Sequence, residues 1–458
     1  MVYSSLLFIY GYFPAALLMY YVTPKKYRSI TLLILSILFC GMLSIWYLAA
    51  MAVYIAVNYA ACHIIGKYVR RPAAALPFGA AVVFDITMLF VFRTELFTSF
   101  QKTIKMPEGF FPLGISFITL SAIGLLVDVY TGRVRGDSDI VTFILYFLYF
   151  PKLLMGPLMR FGSFAKTLSN RRYSLRDIGI GMTIFVKGLA KKVIAADSLY
   201  MLYKSVTDSG LEDMSALTAW LGITAYVLCF YYTLSGVSDM GTGISYCFGI
   251  RLPQSFNYPM FSTRIKYFAA RWHIQAVQWF RRYVTKPLSG ISRRRWIRRL
   301  IFMAVWGLFG SWDGMSLGGA VWGLIIGAAV LAENKFSRNK ALGITGAVYT
   351  FIVTAFAGVF MAGSSLRDSF NYLLVMLGGN RIFADSLSLY LTKSYIVILL
   401  ICVYASTDLF RNMLMRSGRS KLRTAVGAVS PLIVLAFMVL CTILMSYSGA
   451  SEIMLIKM

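Results

Sequence analysis

The stretch SITLLILSILFCGMLSIWYLAAMAVYIAVNYAACHIIG, Ser29 to Gly66, contains no Asp, Glu, Lys or Arg. A membrane-crossing helix needs about 20 predominantly apolar residues, so the run holds two spans, with a tight turn predicted near Gly41 to Trp46. Two spans return the chain to the side it left. Lys25, Lys26 and Arg28 before the run and Lys67, Arg70 and Arg71 after it therefore share a side. The positive-inside rule makes that side cytoplasmic and the N-terminus external. Residues 1–22 are apolar and lack the basic start of a cleavable signal peptide, so they are predicted to be a first span.

The rest of the chain has the same character. It is 59% hydrophobic, 16% aromatic and only 14% charged, which a water-soluble chain of 458 residues could not carry without large exposed apolar patches. Further apolar stretches run roughly over 75–92, 111–130, 140–159, 178–203, 216–234, 300–330, 346–363, 394–410 and 425–446. The expected fold is all-α: a polytopic integral membrane protein of about eleven spans, one domain over residues 1–458. The 300–330 stretch is Gly-rich and interrupted by Asp313, so it is expected to be broken or partly re-entrant.

Charge excludes some functions. The net charge of +27 comes from 45 Lys and Arg against 18 Asp and Glu. In a soluble chain this would suggest a nucleic-acid binder, but the basic residues punctuate apolar spans and form no separate domain, so no nucleic-acid partner is expected. They are placed to meet anionic lipid headgroups. The six cysteines stand singly with no CxxC pair, and the two histidines are far apart, so neither a disulfide framework nor a metal site is predicted.

The second histidine lies in RWHIQAVQWFRRYVTKPLSG, Arg271 to Gly290. A neutral imidazole can take a proton near physiological pH, which makes His273 the first candidate for chemistry; a core histidine satisfied by a backbone carbonyl is the plainer alternative. Around it, no acidic residue and twelve basic ones lie between Asp239 and Asp313. Such a segment can anchor on headgroups, and it can also funnel an anionic donor such as a CoA phosphate.

Five phrases in order resemble the bacterial membrane-bound O-acyltransferase family, in the branch of the alginate O-acetylation and teichoic acid D-alanylation membrane proteins. They are PLGISFITLSAIGLLVDVYTG (Pro112–Gly132), YFPKLLMGPLMRF (Tyr149–Phe161), GLAKKVIAADSL (Gly188–Leu199), LSGVSDMGTGISYCFGIRLPQSFNYP (Leu234–Pro259) and the phrase holding His273. The resemblance is concentrated in residues 112–314; the flanks match only in character. Physically, Ser235, Ser238 and Asp239 place polar groups in or beside a span, Asn257 lies in a Pro-flanked turn, and Gly156–Pro157 breaks a helix. Such residues can line a watery path or serve packing and capping.

The resemblance implies a helical ring with a central tunnel, an acyl donor arriving from the cytoplasm and an acceptor hydroxyl from outside. His273 matches the first of the family's two active-site positions. The second, a histidine in a Trp-His-Gly phrase, corresponds here to Asp313 in Ser311-Trp312-Asp313-Gly314, and Arg282 stands where relatives often carry Asp. The implied catalytic pair is therefore His273 as general base with Asp313 as its partner. Ser238, Asp239, Asn257, Arg271, Gln278 and Trp279 are the candidate tunnel lining. The donor would be an acyl-CoA or acyl carrier protein thioester, with no bound cofactor and no metal. The acceptor would be an envelope or secreted polysaccharide, with a separate extracytoplasmic SGNH-type partner, at a bacterial cytoplasmic membrane. Two other readings stay open: a non-catalytic homologue acting as acyl conduit or scaffold, and a transporter of a polymer precursor.

Overall fold

A computed structural model describes residues 3–93, 114–171, 174–312, 315–336, 343–409 and 420–447. Among them every regular element is helical. Seven helices are long and apolar enough to cross a membrane: Lys25–Leu43, Ile45–Lys67, Pro72–Arg93, Ala216–Cys247, Gly343–Ala362, Ser386–Ala405 and Val429–Tyr447. Leu7–Val22, Ile115–Tyr130 and Leu317–Glu333 are shorter apolar helices. The protein is a multi-pass, all-α membrane protein.

The chain divides into two compact units, Met1–Val186 with Val237–Gln254, and Lys187–Gly236 with Ser255–Met458. In the first, the charge-free run forms two helices broken at Ser44, inside the predicted turn. Ser44 is extended, and its hydroxyl accepts from Trp46 N at 3.2 Å, satisfying one of the amide donors that a helix start leaves free. Buried Asn58 on the second of them donates to Asp85 Oδ1, on the following helix Pro72–Arg93, at 2.9 Å. Phe8, Phe39, Phe150 and Phe248 supply an aromatic core, with Phe39–Phe150 and Phe150–Phe248 centroids both at 5.6 Å.

The predicted span 140–159 is not one helix. Helix Ile140–Leu148 stops at Tyr149, a short helix Phe150–Leu153 follows, and residues 156–160 are irregular. The break falls at Pro151, ahead of Gly156–Pro157, because proline lacks the N–H that a continuing helix would use and restricts the residue before it. Lys152, in this corner, is buried; its Nζ donates to Tyr146 O at 2.8 Å and lies 3.9 Å from the centre of the Tyr146 ring.

In the second unit, the predicted span 178–203 continues through a π-helical turn, Lys191–Ala196, into helix Asp197–Thr207. A π turn brings residues five apart into line, and Lys192 Nζ accordingly meets Asp197 Oδ1 at 2.5 Å with the lysine fully buried. Lys191 Nζ donates to Ser235 Oγ at 2.7 Å. A Cβ on Gly236 would lie 2.8 Å from Gly188 O, so the GLAKKVIAADSL phrase packs directly on the start of the next one.

The 300–330 stretch folds back on itself as two helices, Arg295–Ser311 and Leu317–Phe336. Glycines permit this: a Cβ on Gly323 would overlap Trp306 O, and one on Gly310 would overlap Gly319 O. Helix Gly343–Ala362 packs against the second arm, with Gly318 against Phe360 O. All six cysteines are buried, and none forms a disulfide.

Helix Ser386–Ala405 begins with a capping box. Asp385 Oδ1 accepts from Ser388 N at 2.8 Å and from the hydroxyls of Ser215 and Thr218, each at 3.0 Å. Burial pushes the carboxyl pKa up, but these hydrogen bonds outweigh it and hold it below the usual range. A depressed carboxylate contributes stability that is lost as pH falls through its folded pKa. Asp385→Ala is expected to cost about 1–2 kcal/mol near neutral pH, read as a lower thermal midpoint in detergent, with the gap to wild type narrowing in acid.

Candidate active site

His273 sits at a deliberate break. Helix Ile265–Arg271 ends, Trp272 is extended, and His273 takes the left-handed conformation at φ 41°, ψ 51° before helix Ile274–Phe280 starts. A residue with a Cβ enters that region at a cost of about 1–3 kcal/mol and stays only where its surroundings enforce it. The Pro-flanked loop supplies the enforcement: Ile274 N donates to Ser255 O at 2.7 Å, and Asn257 N donates to Arg271 O at 3.1 Å. These two bonds clamp the backbone on both sides of the histidine.

His273 is only 6% exposed. It lies edge-on to Phe256, with centroids at 5.2 Å, and to Trp312 at 6.2 Å. From these two neighbours the contacts close into a circuit. Phe256 meets Trp272 at 5.4 Å, Trp272 meets Trp322 at 6.1 Å, and Trp322 meets Phe309 at 6.2 Å. Phe309 meets Phe280 at 5.6 Å, and Phe280 meets Trp312 at 6.4 Å. The glycine-packed hairpin supplies Phe309, Trp312 and Trp322; the broken helix supplies Trp272, His273 and Phe280. An imidazole walled this way is shielded from bulk water, and burial pushes its pKa down to about 4, so the ring by itself is neutral at pH 7.

Asn257 and Arg271 are brought together beside His273 through their backbones. Trp279 is half-buried, its ring 5.1 Å from Phe280 and 5.2 Å from Tyr283, whereas Gln278 is exposed. Ser238 is buried and Asp239 half-buried on the part of helix Ala216–Cys247 that belongs to the other unit. Asp313 lies outside the described residues; Trp312, its chain neighbour, is the residue that meets the His273 ring. Arg282 is half-buried, with its guanidinium 5.7 Å from the Tyr283 ring centre.

Several residues of this unit were missed from sequence. Arg264 was counted with the basic run, yet it is 2% exposed, while Arg293, Arg294, Arg295, Arg298 and Arg299 are all exposed as expected of a headgroup-facing segment. Glu333, also buried, accepts from Lys266 N at 3.1 Å and so caps the helix leading to His273. The aromatic circuit was readable only as composition, since its members are spread from Phe256 to Trp322.

The family description "MBOAT, membrane-bound O-acyltransferase family" matches residues 131–364. That match runs past Gly314 through helix Gly343–Ala362, beyond the phrases that carry the resemblance in the sequence. The chain is 30% identical to the probable alginate O-acetylase AlgI of Pseudomonas aeruginosa over 80% of its own length and 73% of the relative's. It is 26% identical to the peptidoglycan O-acetyltransferase of Helicobacter pylori, over 85% and 82% of the two chains. To the teichoic acid D-alanyltransferase of Bacillus subtilis it is 26% identical, over 60% and 72%. With its motifs, its helical architecture and this match over half its length, the chain belongs to the membrane-bound O-acyltransferase family.

Proposed function

We propose that the chain moves a short acyl group from a cytoplasmic thioester, carried by CoA or an acyl carrier protein, to a hydroxyl of an envelope or secreted polysaccharide. The observation that carries this reading is His273, held in a strained conformation and walled by aromatic rings within the region that matches the family. The named activities of the relatives, on alginate, peptidoglycan and teichoic acid, support the acceptor class. In the reaction, His273 takes the acceptor's hydroxyl proton as the oxygen attacks the thioester carbonyl. Asp313 is the partner that orients the imidazole and stabilises its charged form. The basic clusters around Lys25 and Lys67 face the cytoplasm in this scheme, and a separate extracytoplasmic SGNH-type protein completes delivery to the polymer.

The carboxylate's role has a pH signature. Burial depresses the His273 pKa, whereas a carboxylate partner raises it again. The acid limb of the transfer rate against pH should therefore fall at higher pH in wild type than in Asp313→Asn. A variant whose rate drops without any movement of that limb would remove Asp313 from the pair.

A further inference from the structure

In the first unit, helices Ile45–Lys67, Pro72–Arg93 and Ile115–Tyr130 pack against one another and bury four polar oxygens between them. These are the Tyr54 hydroxyl, Asn58 Oδ1, Asp85 Oδ2 and Thr119 Oγ1, and none has a hydrogen-bond partner among the described residues. Their residues are 2%, 1%, 0% and 0% exposed. Both amide hydrogens of Asn58 are committed, one to Asp85 Oδ1 at 2.9 Å and one to Tyr54 O at 3.1 Å, so its Oδ1 is the atom left over. The Tyr54 hydroxyl lies close to both Asp85 and Thr119 without closing a hydrogen bond to either. Thr119 belongs to the phrase Pro112–Gly132. Its neighbour Ser121 uses the ordinary outlet of a helical hydroxyl, the carbonyl four residues back, at 2.8 Å from Phe117 O; Thr119 does not. Asp85 lies near the middle of its span and forms no ion pair among the described residues. A buried carboxylate without a positive partner is costly, and a polar group in a spanning helix marks a site to be explained.

We propose that Tyr54, Asn58, Asp85 and Thr119 bind a monovalent alkali cation, which ties the three helices together. Carboxylate, amide and hydroxyl oxygens are the ligands of hard cations, so the site has no trace in the Cys and His spacing that announces zinc-type metals. One carboxylate balances one positive charge. A divalent ion would leave a net charge among apolar helices, and calcium takes six to eight oxygens, more than this cluster supplies. A proton on Asp85 would remove the charge, and a water molecule would meet the orphaned atoms; a cation does both at once. The ligands come from one residue pair on Ile45–Lys67 and one residue on each of the other two helices, so an ion held by all four links elements that are otherwise joined by packing and the Asn58–Asp85 bond. His273 belongs to the other unit, and the expected effect is on stability.

The test follows thermal unfolding of the purified full-length protein in detergent, in choline chloride and with choline replaced stepwise by sodium or potassium at constant ionic strength, at two pH values. Wild type should show a saturable rise in midpoint of roughly 3 °C with at least one of the two ions, as expected of a ligand that binds only the folded state. Asp85→Asn keeps the side-chain volume and removes the charge, so its midpoint should be the same in all three salts, whatever its absolute value. Thr119→Val is isosteric and removes one neutral ligand; it should keep the rise but need about tenfold more salt to reach half of it. Each comparison is made between salts within one variant, so a variant that folds less well still gives an answer. Equal wild-type midpoints in the three salts, or a salt difference that persists in Asp85→Asn, would overturn the proposal. A wild-type midpoint that follows pH and ignores both ions, with the pH response lost in Asp85→Asn, would overturn it in favour of a bound proton.

Discussion

Replacing His273 with Ala is expected to lower ester formation by about 10²–10⁴-fold, the range that a positioned general base contributes. The left-handed backbone complicates the comparison, because alanine at φ 41° keeps the strain while losing the ring that packs on Phe256 and Trp312. Glycine adopts this conformation without penalty, so His273→Gly should reach the membrane at least as well as His273→Ala and be equally inactive. Two variants that differ in strain but share the loss separate chemistry from folding. Ester levels within a few-fold of wild type in both would remove His273 from the catalytic role.

The second large effect is on the fold. Gly323→Ala is expected to destabilise the protein by about 3 kcal/mol, at the upper end for overpacking, and Gly323→Leu by more. The added carbon would overlap the Trp306 carbonyl, which is backbone and cannot rotate away, so the two arms of the hairpin must separate. They carry Phe309, Trp312 and Trp322, so the wall around His273 opens with them. Gly79→Ala is the control, since nothing lies within 4 Å of a Cβ there, and alanine favours its helix by up to about 1 kcal/mol. Thermal unfolding in detergent should show a lower midpoint for Gly323→Ala and an unchanged or higher one for Gly79→Ala. Equal midpoints would mean that the hairpin does not need its glycine.

These contacts show which parts of the molecule could be read from the sequence. The paired helices around Ser44 could, because the charge-free run between two basic clusters is long enough for two spans and not for one. So could the interruption of the 300–330 stretch, where glycines meet a lone acid. Neither showed what followed from it. Hydropathy did not distinguish a straight span over 140–159 from the corner at Tyr149, since the stretch is uncharged apart from Lys152, and the break falls at Pro151, ahead of the Gly156–Pro157 pair that the sequence marked. The π turn at Lys191–Ala196 has no hydropathic signature either; the five-residue spacing of Lys192 and Asp197 is its trace.

The candidate site was legible in its centre and not in its walls. His273 stood out as one of two histidines, within a family phrase. The clamp on it is made by backbone groups of Ser255, Asn257, Arg271 and Ile274, which no side-chain pattern announces. The helix beginning at Ile274 exposes Gln278 while burying Ala276 and Phe280, a distinction that proximity in sequence does not draw. Arg264 belonged by spacing to a solvated basic run and is instead buried.

The central claim is that this chain, through His273, puts an acyl group onto a polymer hydroxyl. The most direct test is to feed labelled acetate to the deletion strain complemented with wild type or His273→Gly at equal membrane levels, and to measure alkali-labile label on purified envelope polysaccharide. The account predicts label with wild type and background with His273→Gly. Equal label from both, with background in the uncomplemented strain, would contradict it and leave the chain as a conduit for another enzyme's chemistry.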